Sequence, residues 1–387
     1  MGVSSLRINN ERAVLTAVAT NPGQSAAQVA RTTGLGPQSV ARILLELEAA
    51  GLVRRGEALR GKRGQPATPL YLDPNGVFVV GCEIGWRHYH ILLRNLTGEV
   101  LGEHRRDYEF PDVDTVIAET GSLARLLAAL VPEEFRGRIL GMGLAMPSGI
   151  GRNIDLVGGS PEQASRWLAL DIAAAAEAAS GLPIFLFNDG NAACWAELAA
   201  HPPPRPANLA YFQVGTFVAA GIIAGGQLWE GPSGNAANLG SMLVTDRAGG
   251  QQFVHLTASL YALEHRLVAA GYPAPTGNPL AWPWDEMEPL LSEWLEDAAR
   301  ALANAIANTH AVIEFSAALV DGAMPRPVVE RLVERVRQHT RALPTLTADH
   351  PDIKVGRLGG SAAARGAALR PIYRSYFSRD PADFGTP

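Results

Sequence analysis

The sequence predicts an α/β protein in two unequal parts. The first is a small N-terminal module of three helices and a two-stranded ribbon, and the second a larger body with two rounds of strands followed by helix. Three observations carry this reading. Positive charge is concentrated near the N-terminus, apolar residues recur at helical spacing between residues 8 and 47, and a strand-rich pattern that begins near residue 77 starts again near residue 209. The chain has 387 residues, which at about 150 residues per domain suggests two or three domains. Apolar residues make up 47% and charged residues 18%, the composition of a folded chain with a sizeable core and not of a disordered one.

The net charge of -5 hides an asymmetry: residues 1–72 hold nine Lys and Arg against four acids, leaving +5 there and -10 over the rest. A basic head on an acidic body implies a polyanion-binding module joined to a part with another task. Cys82 and Cys194 are too few and too far apart for a disulfide framework or a zinc ribbon, which points to a reducing, cytoplasmic setting without structural zinc. The N-terminus lacks the basic stretch, apolar run and cleavage site of a secretion signal. The longest uncharged run, 206–229, is broken by Asn208, Gln213, Thr216, Gln227 and several glycines, so it reads as two short strands and not as a membrane span.

In the head, Ile8, Val14, Leu15 and Val18 sit at helical spacing, with Asn21-Pro22-Gly23 as the stop. Ser25 followed three residues later by Gln28 is a capping box that opens a second helix, ending near Thr32-Thr33-Gly34. Pro37 suits the first position of a third helix, whose Val40, Ile43, Leu44 and Leu47 form one apolar stripe. Gly51 closes it, and Leu52 to Arg55 begins a strand that returns through Pro69 to Leu72 after a basic tip. Three short helices and a ribbon make a winged helix-turn-helix. Gln38, Ser39 and Arg42, near the start of the third helix, can reach base edges in a major groove. Arg54, Arg55, Arg60, Lys62 and Arg63 of the wing suit phosphates or the minor groove. Winged helices also dock proteins, but polar face, wing charge and local net charge agree on duplex DNA.

In the body, apolar runs at 77–84, 88–93 and 100–105 predict a three-strand meander, followed by a helix near 116–130 and a strand at 139–146. This is similar to the ribonuclease-H-like half of the actin and sugar-kinase fold. A second round begins with strands at 209–214 and 217–224. Two rounds imply two lobes with a cleft between them, the usual place for a small ligand. The expected divisions are the head at 1–72, lobe 1 at 77–205 joined by 371–387, and lobe 2 at 206–370.

Seven motifs in order carry a resemblance over nearly the whole chain. They are Gly81-Cys82-Glu83-Ile84-Gly85; Gly141-Met142-Gly143 through Met146-Pro147-Ser148-Gly149; Trp167; Asn188-Asp189-Gly190-Asn191-Ala192-Ala193; Val214-Gly215-Thr216; Gly231 through Leu239-Gly240; and Leu358-Gly359-Gly360-Ser361 through Gly366-Ala367-Ala368. The chain resembles the ROK family (repressors, open reading frames, kinases), in the transcriptional-regulator branch that includes xylose and N-acetylglucosamine repressors. The resemblance makes Asp189 the general base of a kinase and Asn188-Asp189 a clamp for sugar hydroxyls. Either residue is also a natural cap for the helix that follows. It further places Gly149, Gln163, Asn238, Ser241 and His255 among candidate ligand contacts, although a lone histidine is more often structural or on the surface.

Departures from the family pattern bear on chemistry. The kinase branch has Asp and then Gly-Gly-Thr in its first phosphate loop; here Glu83 is followed by Gly85-Trp86-Arg87. A carboxylate displaced by about 1 Å can cost roughly 100-fold in rate, and Trp86 removes a glycine that would let phosphate approach the backbone. Phe217 and Val218 add bulk at the second phosphate loop. The family's Glu-x-Gly-His, whose histidine ligates zinc with three later cysteines, is Asn238-Leu239-Gly240-Ser241 here, and no cysteine follows Cys194. Neither zinc nor ATP is therefore expected. The wing ends in Gly64-Gln65-Pro66 where family regulators often carry Gly-Arg-Pro. These features predict a sugar-responsive regulator, most often a repressor in this family, that binds operator DNA as a homodimer or tetramer with a catalytically inactive body. The alternatives are a sugar kinase with a fused DNA-binding head and a ligand-free oligomerisation scaffold.

Overall fold

The structure, a computed structural model, describes residues 3–57, 68–202, 205–346 and 349–378. The head forms α1 (Val3–Thr20), α2 (Ala26–Thr33), α3 (Pro37–Ala49), β1 (Val53–Arg55) and β2 (Leu70–Leu72), so α1 begins earlier than its apolar spacing predicts. The Ser25 capping box is complete: the hydroxyl accepts the Gln28 N–H, and the Gln28 side-chain oxygen accepts the Ser25 N–H at 2.8 Å. Two donors at the helix start are thereby satisfied. Gly34 turns the chain out of α2 at φ +67°, a conformation that costs a residue with a side chain about 1–2 kcal/mol. Val40, Ile43, Leu44 and Leu47 are buried with Val14, Leu15, Val18 and Val29, as the spacing predicts. β1 and β2 pair antiparallel, Val53 opposite Leu72. The wing tip with Arg60, Lys62, Arg63 and Gly64-Gln65-Pro66 lies outside the described residues.

Lobe 1 contains β3 (Phe78–Ile84), β4 (His88–Asn95), β5 (Val100–Asp107), α4 (Val113–Ala128), β6 (Ile139–Met146), α5 (Ile150–Asn153), α6 (Pro161–Ala169), α7 (Ile172–Ser180), β7 (Ile184–Asn188) and α8 (Asp189–Ala200). Its sheet order is β5-β4-β3-β6-β7, the first three strands antiparallel and β3, β6 and β7 parallel. Lobe 2 contains β8 (Leu209–Val214), β9 (Val218–Ala224), β10 (Gln227–Leu228), β11 (Leu243–Thr245), β12 (Gln251–Phe253), α9 (Val254–Thr257), α10 (Leu260–Ala269), α11 (Leu290–Val312), β13 (Ala317–Gly322), α12 (Arg326–Ala342) and β14 (Asp352–Val355). Its main sheet, β10-β9-β8-β13-β14, repeats the topology of lobe 1. The uncharged run at 206–229 forms β8, β9 and β10. Among the described residues no helix is long and apolar enough to cross a membrane.

The last helix, α13 (Ala362–Tyr376), crosses back onto lobe 1. A Cβ on Gly81 would overlap the Ala364 carbonyl, one on Gly143 the Ala367 carbonyl, and one on Gly366 the Ala192 carbonyl. Glycines and alanines thus let α13 touch β3, β6 and α8 at backbone distance. The same helix also packs on lobe 2, its Ala362, Ala363 and Leu369 sharing a core with Leu209, Tyr211 and Leu319, so α13 lies between the lobes. The head is not separate in packing either. Val14, Leu15, Val40 and Leu44 share one core with Val77, Val79, Leu92 and Leu96 of lobe 1 and with Ala368, Ile372 and Phe377. Residue 72 divides the chain but not the core.

Candidate ligand cleft and DNA-facing surface

Parallel pairing of β6 and β7 sets Met146 beside Asn188. The turn Pro147-Ser148-Gly149 and the pair Asn188-Asp189 therefore emerge together at the carboxyl ends of parallel strands, where α/β sheets hold ligands. Loop residues Asn235, Asn238 and Ser241 approach from lobe 2, and His255 from α9. These residues line one cavity of about 470 Å³, together with Trp86, Arg152, Asn153, Leu156, Phe217 and Phe253, a volume suited to a small organic ligand. Of the contacts expected from sequence, Gly149, Asn188, Asp189, Asn238, Ser241 and His255 are in this lining. Gln163 is not. Its side-chain oxygen accepts the Val113 N–H at 3.0 Å and its amide donates to Asp112, so it fastens the start of α4 away from the cleft.

Asn188 is the cap of α8: its side-chain oxygen accepts the Asn191 N–H at 3.1 Å, while its amide faces Ser148 at 3.3 Å and Asn235 at 3.5 Å. Capping and cleft lining coexist in one side chain. Asp189 accepts the Gly190 N–H at 2.9 Å. Burial, and then the charge of Glu83, push its carboxyl up to about 7. His255 accepts the Val218 N–H on Nδ1 at 3.2 Å; burial lowers it to about 4, so the ring is neutral and Nε2 carries the proton. Its ring packs where a Cβ on Gly240 would stand, which explains the glycine. Ala237 holds φ +63°, a strained conformation for a residue with a side chain, in the loop between Asn235 and Asn238. Asn235, Asn153, Arg152 and Leu156 were not legible as lining residues, because they come from loops and a short helix whose approach is set by long-range packing.

Aromatic and charged side chains join the two lobes beside the cleft. Trp86 meets Phe217 edge-on, and Phe217 joins the lobe 1 core with Leu256 and Tyr261 packed against it. Arg87 of lobe 1 pairs with Glu264 of α10 at 3.2 Å. Glu83 is turned toward His88, 3.5 Å away; burial works to raise its carboxyl, but His88, His90 and Arg105 prevail and hold it below the usual range. Among the described residues no three His, Cys, Asp or Glu side chains gather as a metal site.

On the head, Gln38, Ser39 and Arg42 are exposed on the face of α3 opposite its buried stripe. Arg42 pairs with Glu46 at 2.7 Å, and Arg55 with Glu48 at 2.8 Å. Such exposed pairs are worth about 0–1 kcal/mol, so phosphates compete for these arginines at little cost. Arg54 stacks 5.2 Å from the centre of Tyr71.

Residues 79–370 match the model of the ROK family, and residues 8–64 match the model of the MarR family. An uncharacterised protein of Sinorhizobium fredii is 25% identical, the alignment covering 97% of this chain and 94% of that one. The xylose repressor of Caldicellulosiruptor bescii is 25% identical over 60% of this chain, the match spanning 57% of the repressor. Among solved structures, a ROK family transcriptional regulator described as a homologue of the E. coli MLC protein superposes with a TM-score of 0.69 at 22% identity, covering 98% of this chain and 97% of that one.

Proposed function

The chain belongs to the ROK family, and from that membership we propose that it is a sugar-responsive transcriptional repressor whose body binds its effector without phosphorylating it. One observation carries the reading: one cavity gathers Asn188, Asp189, Asn235, Asn238 and Ser241, side chains that suit sugar hydroxyls, while Trp86 and Phe217 meet edge-on in its wall, where the family resemblance puts phosphate loops. Phosphoryl transfer depends on positioning and charge stabilisation of the phosphates, and an aromatic pair offers neither. The exposed polar face of α3 and the wing arginines support DNA binding. The xylose repressor among its relatives supports a sugar as the signal.

The protein acts in the cytoplasm as a homodimer or tetramer, placing two heads on two half-sites of duplex operator DNA. Effector binding changes how the lobes close and shifts the heads, a coupling of about 1–3 kcal/mol. The test is a thermal-shift screen of sugars and sugar phosphates, followed by salt-titrated gel shifts with and without the hit. A steep fall of affinity with salt and a loss of operator binding with the hit are expected; a flat salt response sinks the DNA claim.

A second reading, ATP-dependent sugar phosphorylation, is favoured by Asp189, whose carboxyl at about 7 suits a general base near neutral pH. Phosphorylation of any sugar in a hexose panel, lost in Asp189→Asn, would establish it.

A further inference from the structure

The last turns of α13 touch three parts of the molecule at once. Arg370 and Arg374 both pair with Glu230, at 2.7 and 2.9 Å. Both guanidinium groups lie over the Phe187 ring, 5.7 and 5.0 Å from its centre, and Arg370 also lies 5.0 Å over Trp195. On the other side, the carbonyls of Arg374 and Ser375 accept hydrogen bonds from Arg12 of α1 at 3.3 and 3.1 Å. The Ser378 N–H donates to the Thr16 hydroxyl at 2.9 Å.

Each contact leads to a working element. Glu230 opens the loop that carries Asn235 and Asn238, and its carbonyl accepts the Ala236 N–H at 2.9 Å. Phe187 immediately precedes Asn188, the cap whose amide faces Asn235. Arg12 and Thr16 belong to α1, whose Val14 and Leu15 pack in one core with Val40 and Leu44 of the DNA-facing helix. Arg370 is 7% exposed and shares the Glu230 carboxylate with the more exposed Arg374, so removing Glu230 leaves a buried guanidinium without its carboxylate, which the pairs of the head do not.

We propose that Glu230, Arg370 and Arg374 are positioning residues that transmit the state of the effector loop to the DNA head through the end of α13. The proposal rests on the regulator reading, but its mechanical content is separate. A shift of the loop that carries Asn235 and Asn238 moves Glu230, Glu230 draws the two arginines and the end of α13, and α13 moves α1 through Arg12 and Thr16. Coupling of this kind is reciprocal, so a disturbance at α1 reaches the effector loop.

Amide hydrogen exchange on the full chain, without sugar or DNA, tests this. Glu230→Gln is expected to raise exchange by about threefold or more in 230–238, in the end of α13 and in α1, with α12 in lobe 2 unchanged. Arg12→Ala is expected to raise exchange in 230–238 in return, and Glu230→Asp, which keeps the charge, to stay near the parent. Should Glu230→Gln fail to fold, the Arg12→Ala arm decides alone. The proposal is overturned if the Glu230→Gln effect stops short of α1, if Arg12→Ala leaves 230–238 at its parent rate, or if α12 rises in parallel, which would mark a general loss of stability. No ligand enters the experiment, so failure of the sugar reading would leave its result standing.

Discussion

Trp86 and Phe217 meet edge to face, with ring centroids 4.8 Å apart and an interplanar angle of 81°. The first follows β3 in lobe 1 and the second follows β8 in lobe 2, so the contact bridges the lobes in the wall of the cleft. Such pairs add about 0.5–1.5 kcal/mol beyond burial. Phe217→Ala is expected to cost about 3 kcal/mol in urea unfolding, as for a core aromatic. Trp86→Ala should cost less, because Trp86 is only half-buried. A double-mutant cycle should return a coupling of about 1 kcal/mol; no coupling would mean that the rings merely share a wall.

Asp189 makes a pH-dependent prediction. Its carboxyl is raised from 3.8 to about 7 by burial and by Glu83. Between those values the folded chain holds a proton that the unfolded chain has released, so the stability it contributes is full below 3.8 and lost as pH rises through about 7. Asp189→Asn has no such proton to lose. Its stability relative to the parent should therefore rise by about 2–4 kcal/mol between about pH 4 and pH 7 and level off above. Urea titrations across that range check the sign, and a constant difference would show that Asp189 ionises normally.

The head separates positioning from reading. Arg54→Ala should weaken binding to all duplexes alike and reduce the slope of log affinity against log salt by about 1. Gln38→Ala should leave the slope unchanged and cost about 1–3 kcal/mol of discrimination at one base step. Gel shifts on duplexes enriched by in vitro selection distinguish the two.

Ala237 stands at φ +63° in the loop that carries Asn235 and Asn238. Ala237→Gly relieves about 1–2 kcal/mol of strain, partly offset by the greater freedom of glycine in the unfolded chain. A small rise in thermal midpoint is expected, with weaker effector binding if the strain holds Asn235 and Asn238 in place.

Much of the head was legible because its signals are local: the Ser25 and Gln28 box, Pro37 at a helix start and the stripe from Val40 to Leu47 each span a few residues. The same holds for the two rounds of strands and for Asn188-Asp189, which sit at a strand end wherever the lobes lie. Gln163 shows the limit. Its partner Asp112 is 51 residues away, and nothing in the sequence near Gln163 distinguishes a cleft contact from a helix fastener. The meeting of Trp86 with Phe217, the packing of α13 between the lobes, and the junction of Arg12, Glu230 and Arg374 depend likewise on which surfaces meet after the lobes fold. Periodicity and capping chemistry act over a few bonds and can be read along the chain. The cleft and the packing of α13 on the head are set by contacts between segments from 40 to 362 residues apart, which only the tertiary structure decides.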